Sequence, residues 1–117
     1  MSGESKIGNQ IKVMNAKPVR QPVNWELEDG KVVIVVKKHF TKLERLLQKY
    51  LKGPENVRIP LDSLGSAIWL LCDGKHTIKE ICEEMHKNYK EKIEPVAPRV
   101  TKFLVMLLRR NFIRLEK

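Results

Sequence analysis

The sequence is poor in residues that form disulfide frameworks or cross membranes. Its 117 residues include two cysteines, Cys72 and Cys82, which are too few for the framework of a small secreted domain. No uninterrupted apolar run exceeds six residues, whereas a membrane-spanning helix needs about 20. The segment from Met1 to Asn15 lacks the apolar core of a signal peptide. These absences predict a cytoplasmic protein without a membrane-spanning segment.

Patterns typical of enzymes are also missing. The chain has no Gly-rich phosphate loop and no nucleophile in a recognisable elbow. The adjacent carboxylates Glu83 and Glu84 fall in a predicted helix, where no apolar pocket is implied. We therefore expect a single small domain with no catalytic residues and no cofactor.

One arrangement of metal-binding residue types needs to be weighed. Cys72 and His76 are followed by Cys82 and His86, and two thiolates with two imidazoles are a ligand set of structural zinc. However, both cysteines fall within apolar helix stripes, and the short Cys-x2-Cys spacing of zinc knuckles is absent. Core packing is the favoured interpretation, and no metal site is predicted.

Positive charge is abundant. The chain carries 23 Lys and Arg against 14 Asp and Glu, a formal net charge of +9. Nucleic acid, an acidic peptide and an anionic membrane surface would all be attracted by such an excess. The two tryptophans, Trp25 and Trp69, are isolated in the sequence and do not form the aromatic cluster that stacks bases.

The first half of the domain is predicted to be a small antiparallel sheet. Residues 1–16 have no sustained period and are predicted to be a flexible tail, so the domain covers 17–117. Alternation around Trp25, the Asp29-Gly30 turn and a β-branched run indicate a hairpin. Val57 to Ile59 is predicted as a third strand, which ends at an edge because Pro60 follows. Between strands 2 and 3, the apolar spacing over 37–53 predicts an inserted amphipathic helix.

Three helices are predicted to follow the sheet. Asp62 is placed to cap the first, and Thr77 with Glu80 forms a capping box at the start of the second. The third runs from Pro95 or Pro98 to Asn111, after which 112–115 forms a short strand or a tail. This order predicts an α+β fold with the outline of a winged helix-turn-helix.

The third helix has apolar residues outside its core face. At 100° per residue, one face collects the predicted core residues Val96, Val100, Phe103, Leu104 and Leu107. Val105 and Met106 project away from that face, among Arg99, Lys102, Arg109 and Arg110. An apolar strip with basic flanks suits a peptide that offers aliphatic and acidic side chains. The alternative is that the tail, the inserted helix or a second copy of the domain covers the strip.

The run from Ile59 to Ile81 resembles the PqqD family, named for protein D of pyrroloquinoline quinone biosynthesis. The residues that carry the resemblance have the pattern LD.LG..IW.L.DG..T..EI, and the likeness covers about 17–113. It implies a peptide-binding domain of the kind called a RiPP recognition element. Such domains capture the leader of a ribosomally made precursor peptide and present it to a modifying enzyme, commonly a radical S-adenosylmethionine maturase.

The resemblance also implies where the peptide binds. In the family, the leader adds a strand beside the third strand and lies against the third helix. Mapped onto this sequence, the peptide-binding residues are Val57, Arg58, Ile59, Arg99, Lys102, Val105, Met106 and Arg109. The competing interpretation is a winged-helix DNA-binding protein in which Arg99, Lys102 and Arg109 reach into the major groove. The apolar Val105 and Met106 disfavour it, because a groove-reading face is normally polar.

Overall fold

The computed structural model describes residues 13–37 and 56–117, which form two compact units. One unit is the segment Val23–Leu61, and the other combines the chain before and after that segment. The elements in chain order are β1 (Lys17–Arg20), β2 (Asn24–Glu28), β3 (Lys31–Lys37), β4 (Asn56–Pro60), α1 (Ser63–Leu71), α2 (Ile78–Tyr89), a 3-10 helix (Lys90–Ile93), α3 (Val96–Arg109) and β5 (Ile113–Glu116). The predicted α+β order of three strands and three helices is thereby confirmed, and a C-terminal strand follows them.

Two predictions concern segments that lie largely or wholly outside the described residues. The inserted helix over 37–53 is one of them, apart from Lys37, which ends β3. The flexible tail over 1–16 is the other, and only its last four residues are described. Of these, Ala16 is buried, and its carbonyl oxygen accepts the backbone N–H of Ile78 at 2.9 Å.

The smaller unit is a three-stranded antiparallel sheet with the order β2-β3-β4. Asp29 and Gly30 form the predicted hairpin turn between β2 and β3, with φ of 51° and 79°. Glycine adopts this left-handed region without steric cost, and aspartate tolerates it. The central strand β3 supplies the buried residues Val32, Val33 and Ile34. Leu27 is 57% exposed, because it lies on an edge strand beside the turn.

The larger unit contains a second, two-stranded sheet in which β1 pairs antiparallel with β5. The strand β5 is one of the two forms predicted for 112–115, whereas β1 was not predicted. Only four residues long and containing Pro18, β1 shows no alternation of its own. Its other edge is held by the α1–α2 turn, because the Arg20 N–H donates to the Cys72 carbonyl oxygen at 3.0 Å and the Gly74 N–H donates to that of Pro18 at 2.9 Å. The pairing of β1 therefore depends on residues distant in sequence.

The helices begin where the sequence predicts. The Asp62 carboxylate accepts the Gly65 N–H at 2.7 Å, and Thr77 and Glu80 form both bonds of the capping box. Arg20 closes the other end of α1, because its guanidinium donates to the carbonyl oxygens of Trp69 and Leu70 at 2.9 and 3.1 Å. A cation is favoured at that end by the helix dipole.

The core of the larger unit consists of the facing stripes of the three helices. Buried residues of α1 and α2, with the residue that follows α1, are Ile68, Trp69, Cys72, Ile78, Ile81, Cys82 and Met85. From α3, Val100, Leu104 and Leu107 are buried as predicted, while Val96 and Phe103 are half-buried. No helix among the described residues is both long enough and apolar enough to cross a membrane.

Candidate functional site

The side of α3 that faces away from the core carries the apolar and basic residues predicted to bind a ligand. Lys102 and Arg109 are exposed, Val105 is 42% exposed and Met106 is half-buried. We call these four residues the outer face of α3. Together with Pro98, Thr101 and Arg110 they line one shallow depression of about 700 Å³. The structure therefore brings together four of the five helix residues of the predicted site.

A second depression lies between α1 and α3 and shares Lys102 and Met106 with the first. Its volume is about 530 Å³, within the range of about 300–1,000 Å³ found for ligand clefts. It is lined by Asp62, Leu64, Gly65, Ile68, Ile93, Arg99, Lys102, Phe103 and Met106. Apolar side chains therefore form most of its wall, and its charged residues are Asp62, Arg99 and Lys102.

Gly65 determines how closely α1 approaches α3. A Cβ atom at this position would lie 3.0 Å from Cε1 and Cζ of Phe103, which is tighter than nine in ten contacts of real Cβ atoms. The missing side chain lets the aromatic ring lie against the backbone of α1. Phe103 was predicted to be in the core, and instead it is half-buried and lines the depression between the two helices.

The charged side chains of α3 are all positive. The helix contains no acidic residue between Val96 and Arg109, and Arg110 follows as its C-cap. Among the described parts of the chain, no carboxylate lies within 4.0 Å of the charged groups of Lys102, Arg109 or Arg110. Arg99 donates to the carbonyl oxygen of Lys92 at 3.4 Å, a bond to a neutral group. This surface therefore favours a ligand that brings negative charge.

The remaining predicted site residues lie on β4, in the other compact unit. Val57 is 40% exposed, Ile59 is half-buried and Arg58 is exposed. Arg58 is already engaged, because its guanidinium pairs with Glu26 at 2.7 Å and with Glu28. Hydrogen bonding to Glu26 raises the pKa of Arg58. Unlike the cations of α3, this arginine is neutralised by its neighbours.

The free edge of β4 can be identified from the pattern of its pairing. Within the described residues, β4 pairs with β3 on one side and has no partner strand on the other. The Leu61 N–H donates to the Val32 carbonyl oxygen at 2.8 Å, so the backbone groups of Ile59 and Val57 also point toward β3. The N–H and C=O of Arg58 therefore point toward the free edge, where Pro60 offers only a carbonyl.

Of the four residues weighed as zinc ligands, the two histidines contact different carboxylates and the two cysteines are buried. Cys72 is fully buried, and burial raises the pKa of its thiol to about 12. The His76 ring contacts the Asp73 carboxylate at 3.0 Å, and the His86 ring contacts that of Glu94 at 3.3 Å. Over residues 13–37 and 56–117, no group of three or more His, Cys, Asp or Glu side chains is placed to hold a metal ion.

Sequence reasoning missed the residues that α1 contributes to the depression between α1 and α3. Leu64 and Gly65 line the depression against α3, although neither was among the predicted peptide-binding residues. A signal was present, because glycine inside a helix costs about 1 kcal/mol relative to alanine and often marks a close approach of two elements.

Comparison with known proteins gives one match. The family described as "Coenzyme PQQ synthesis protein D (PqqD)" matches residues 44–113, more than half of the chain. The match includes β4, the three helices and the first residue of β5, and it starts after the hairpin that the resemblance was also thought to cover. No curated protein and no solved structure matches the chain. Because this match covers more than half of the chain, the chain belongs to the PqqD family.

Proposed function

We propose that the protein binds the leader segment of a ribosomally made precursor peptide and presents it to a modifying enzyme. The description of its family names coenzyme PQQ synthesis. The enzyme partner in this proposal is a radical S-adenosylmethionine maturase. The chain itself would act without catalytic residues, as a peptide chaperone. We also propose that the fold is of the winged helix-turn-helix type.

The observation that carries the proposal is the chemistry of the outer face of α3. Val105 and Met106 offer apolar surface, and Lys102 and Arg109 stand beside them without carboxylate partners in the described chain. A peptide can satisfy both features at once, because aliphatic and acidic side chains can alternate along it. Arg99 lies one turn before Lys102 and extends the positive surface toward the start of the helix.

The free edge of β4 supports a second part of the proposal. A peptide that adds a strand gains backbone hydrogen bonds, which supply affinity that depends little on sequence. Arg58 would supply the N–H and C=O for this pairing, while Val57 and Ile59 would contact the peptide through their side chains. Affinity would then come mainly from β4 and selectivity mainly from α3.

A pair of substitutions at one position tests the strand addition. Arg58→Pro removes the N–H that points to the free edge and leaves the bonds from β4 to β3 in place, which an edge strand tolerates. Arg58→Ala keeps that N–H but loses the same pairs with Glu26 and Glu28. We expect the proline variant to bind a selected peptide about ten-fold more weakly than the alanine variant, because one hydrogen bond is lost and the peptide carbonyl it would reach is left without a partner. Equal affinities of two folded variants would remove β4 from the binding site.

DNA binding is a second candidate, supported by the four cations Arg99, Lys102, Arg109 and Arg110 on and beside one helix without acid. In that case α3 would enter the major groove, and Val105 and Met106 would face base edges. We expect only weak, strongly salt-dependent association with duplex DNA of arbitrary sequence. Nanomolar, sequence-selective binding at physiological salt would replace the peptide proposal with this one.

A further inference from the structure

The spacing of charges on the outer face of α3 restricts what a bound peptide can look like. We infer that this face selects a segment with one aliphatic side chain between two carboxylates, at positions i, i+2 and i+4 of an extended chain. The inference rests on the proposed function and names the chemistry of its ligand. It follows from the helix geometry, the absence of acid from α3 and the position of Val105 between two cations.

The distances along the helix set the spacing. Lys102 and Arg109 are seven residues apart, which is about 10.5 Å along the axis of an α-helix. Val105 lies between them, about 4.5 Å from the level of Lys102 and about 6 Å from that of Arg109. The surface thus presents a cation, an apolar side chain and a cation in a row, and all of them line one depression.

An extended peptide can match this row in one way. Its side chains alternate, so that those at i, i+2 and i+4 face the helix, at intervals of about 7 Å. The outer two are then about 13 Å apart, which exceeds the separation of the cations by about 3 Å. The long, flexible side chains of lysine and arginine can bridge that difference. Acids only two residues apart would leave no facing position between them for the aliphatic side chain.

The lack of carboxylate partners for Lys102 and Arg109 among the described residues favours an acidic peptide over a wholly apolar one. Arg58 and Arg114 each have a carboxylate partner within 4 Å, whereas Lys102 and Arg109 have none among the described residues. An apolar segment laid across this face would desolvate these two cations without pairing them, which costs free energy. A polyanionic backbone would pair with the cations but would leave Val105 and Met106 against charged groups.

The test is selection of peptides from a randomised 12-residue display library on the purified full chain. We expect the enriched peptides to share a carboxylate at i and i+4 with Leu, Ile or Val at i+2. Enriched peptides without this spacing would overturn the inference and leave the proposed peptide binding intact. If no peptide is enriched, both fail.

Charge exchange then tests which groups meet. Lys102→Glu and Arg109→Glu should each weaken a selected peptide at least about five-fold, and changing one peptide carboxylate to lysine should restore binding to only one of the two variants. Changing the other carboxylate should restore binding to the other variant. Lys79→Glu on α2 makes the same change of charge at an exposed position away from both depressions and should leave affinity within about two-fold. Equal losses for Lys79→Glu, or no reciprocal rescue, would refute the pairing.

Discussion

Replacing Val105 by Asp should weaken peptide binding strongly without unfolding the protein. In the free protein Val105 is 42% exposed, so a bound peptide can cover only part of its side chain and gains about 1 kcal/mol from it. Asp would lose that gain and would place a carboxylate against the ligand's aliphatic side chain, which costs a further 1 kcal/mol or so. The sum of about 2 kcal/mol corresponds to roughly thirty-fold weaker binding.

A matched control lies two residues further along the same helix. Leu107 is fully buried, and Leu→Ala at such a site costs about 2–5 kcal/mol before any charge is considered. Burying an unpaired carboxylate adds several kcal/mol more, and the total approaches the whole stability of a small domain, about 5–15 kcal/mol. Leu107→Asp should therefore unfold the protein, while Val105→Asp, at a partly exposed position, should lower the free energy of unfolding by only about 1 kcal/mol.

The assay has two readouts for each variant. Fluorescence anisotropy with a labelled, library-selected peptide gives the dissociation constant, and circular dichroism against temperature gives the melting curve. The reasoning is refuted if the folded Val105→Asp variant binds like the wild type. It is equally refuted if Val105→Asp unfolds as Leu107→Asp does, because the residue would then belong to the core.

Three further predictions concern the described structure. Arg20→Met removes two hydrogen bonds to carbonyl oxygens at the end of α1 and should lower the free energy of unfolding by about 1–2 kcal/mol in a urea titration, and an unchanged midpoint would contradict it. Because burial raises the pKa of Cys72 to about 12, this thiol should resist iodoacetamide at pH 8 until the protein unfolds, and rapid labelling of the native protein, located by mass spectrometry, would count against it. The backbone N–H of Thr77 lowers the pKa of Glu80, so the stability this carboxylate adds is present above its ordinary pKa near 4.5 and is lost as pH falls through the lowered value. The difference in melting temperature between wild type and Glu80→Gln should accordingly shrink from pH 6 to pH 3, and a constant difference would argue against this role.

Local chemistry explains which parts of the fold were predictable. The hairpin turn at Asp29-Gly30, the Asp62 cap and the Thr77 capping box are determined by residues within a few positions of each other, and all three are confirmed. The strand β1 could not be predicted, because its partners are β5 and the turn at 72–74, far away in the sequence. Pairing between distant segments leaves no local period to detect.

The candidate site likewise has some features that the sequence predicts and others that it does not. Helical periodicity separated Val105 and Met106 from the core residue Leu107, and the burial of each agrees with it. The same periodicity placed Phe103 in the core, where the structure has it half-buried beside Gly65. A wheel for one helix does not show how closely a neighbouring helix approaches it. Arg58 was predicted as a peptide-binding residue, and its pairs with Glu26 and Glu28, which belong to another strand, could not be read from its own segment.

Amide hydrogen exchange of the 15N-labelled protein, with and without a library-selected peptide, tests the central claim most directly. If a peptide adds a strand to β4, the Arg58 N–H changes from a solvent-facing group to a hydrogen-bonded one, and its exchange should slow at least about ten-fold. The Ile59 N–H already faces β3 and should change little, while the resonances of Val105 and Met106 should shift on binding. Unchanged exchange at Arg58, with shifts confined to α2 and β5, would contradict peptide capture by β4 and α3.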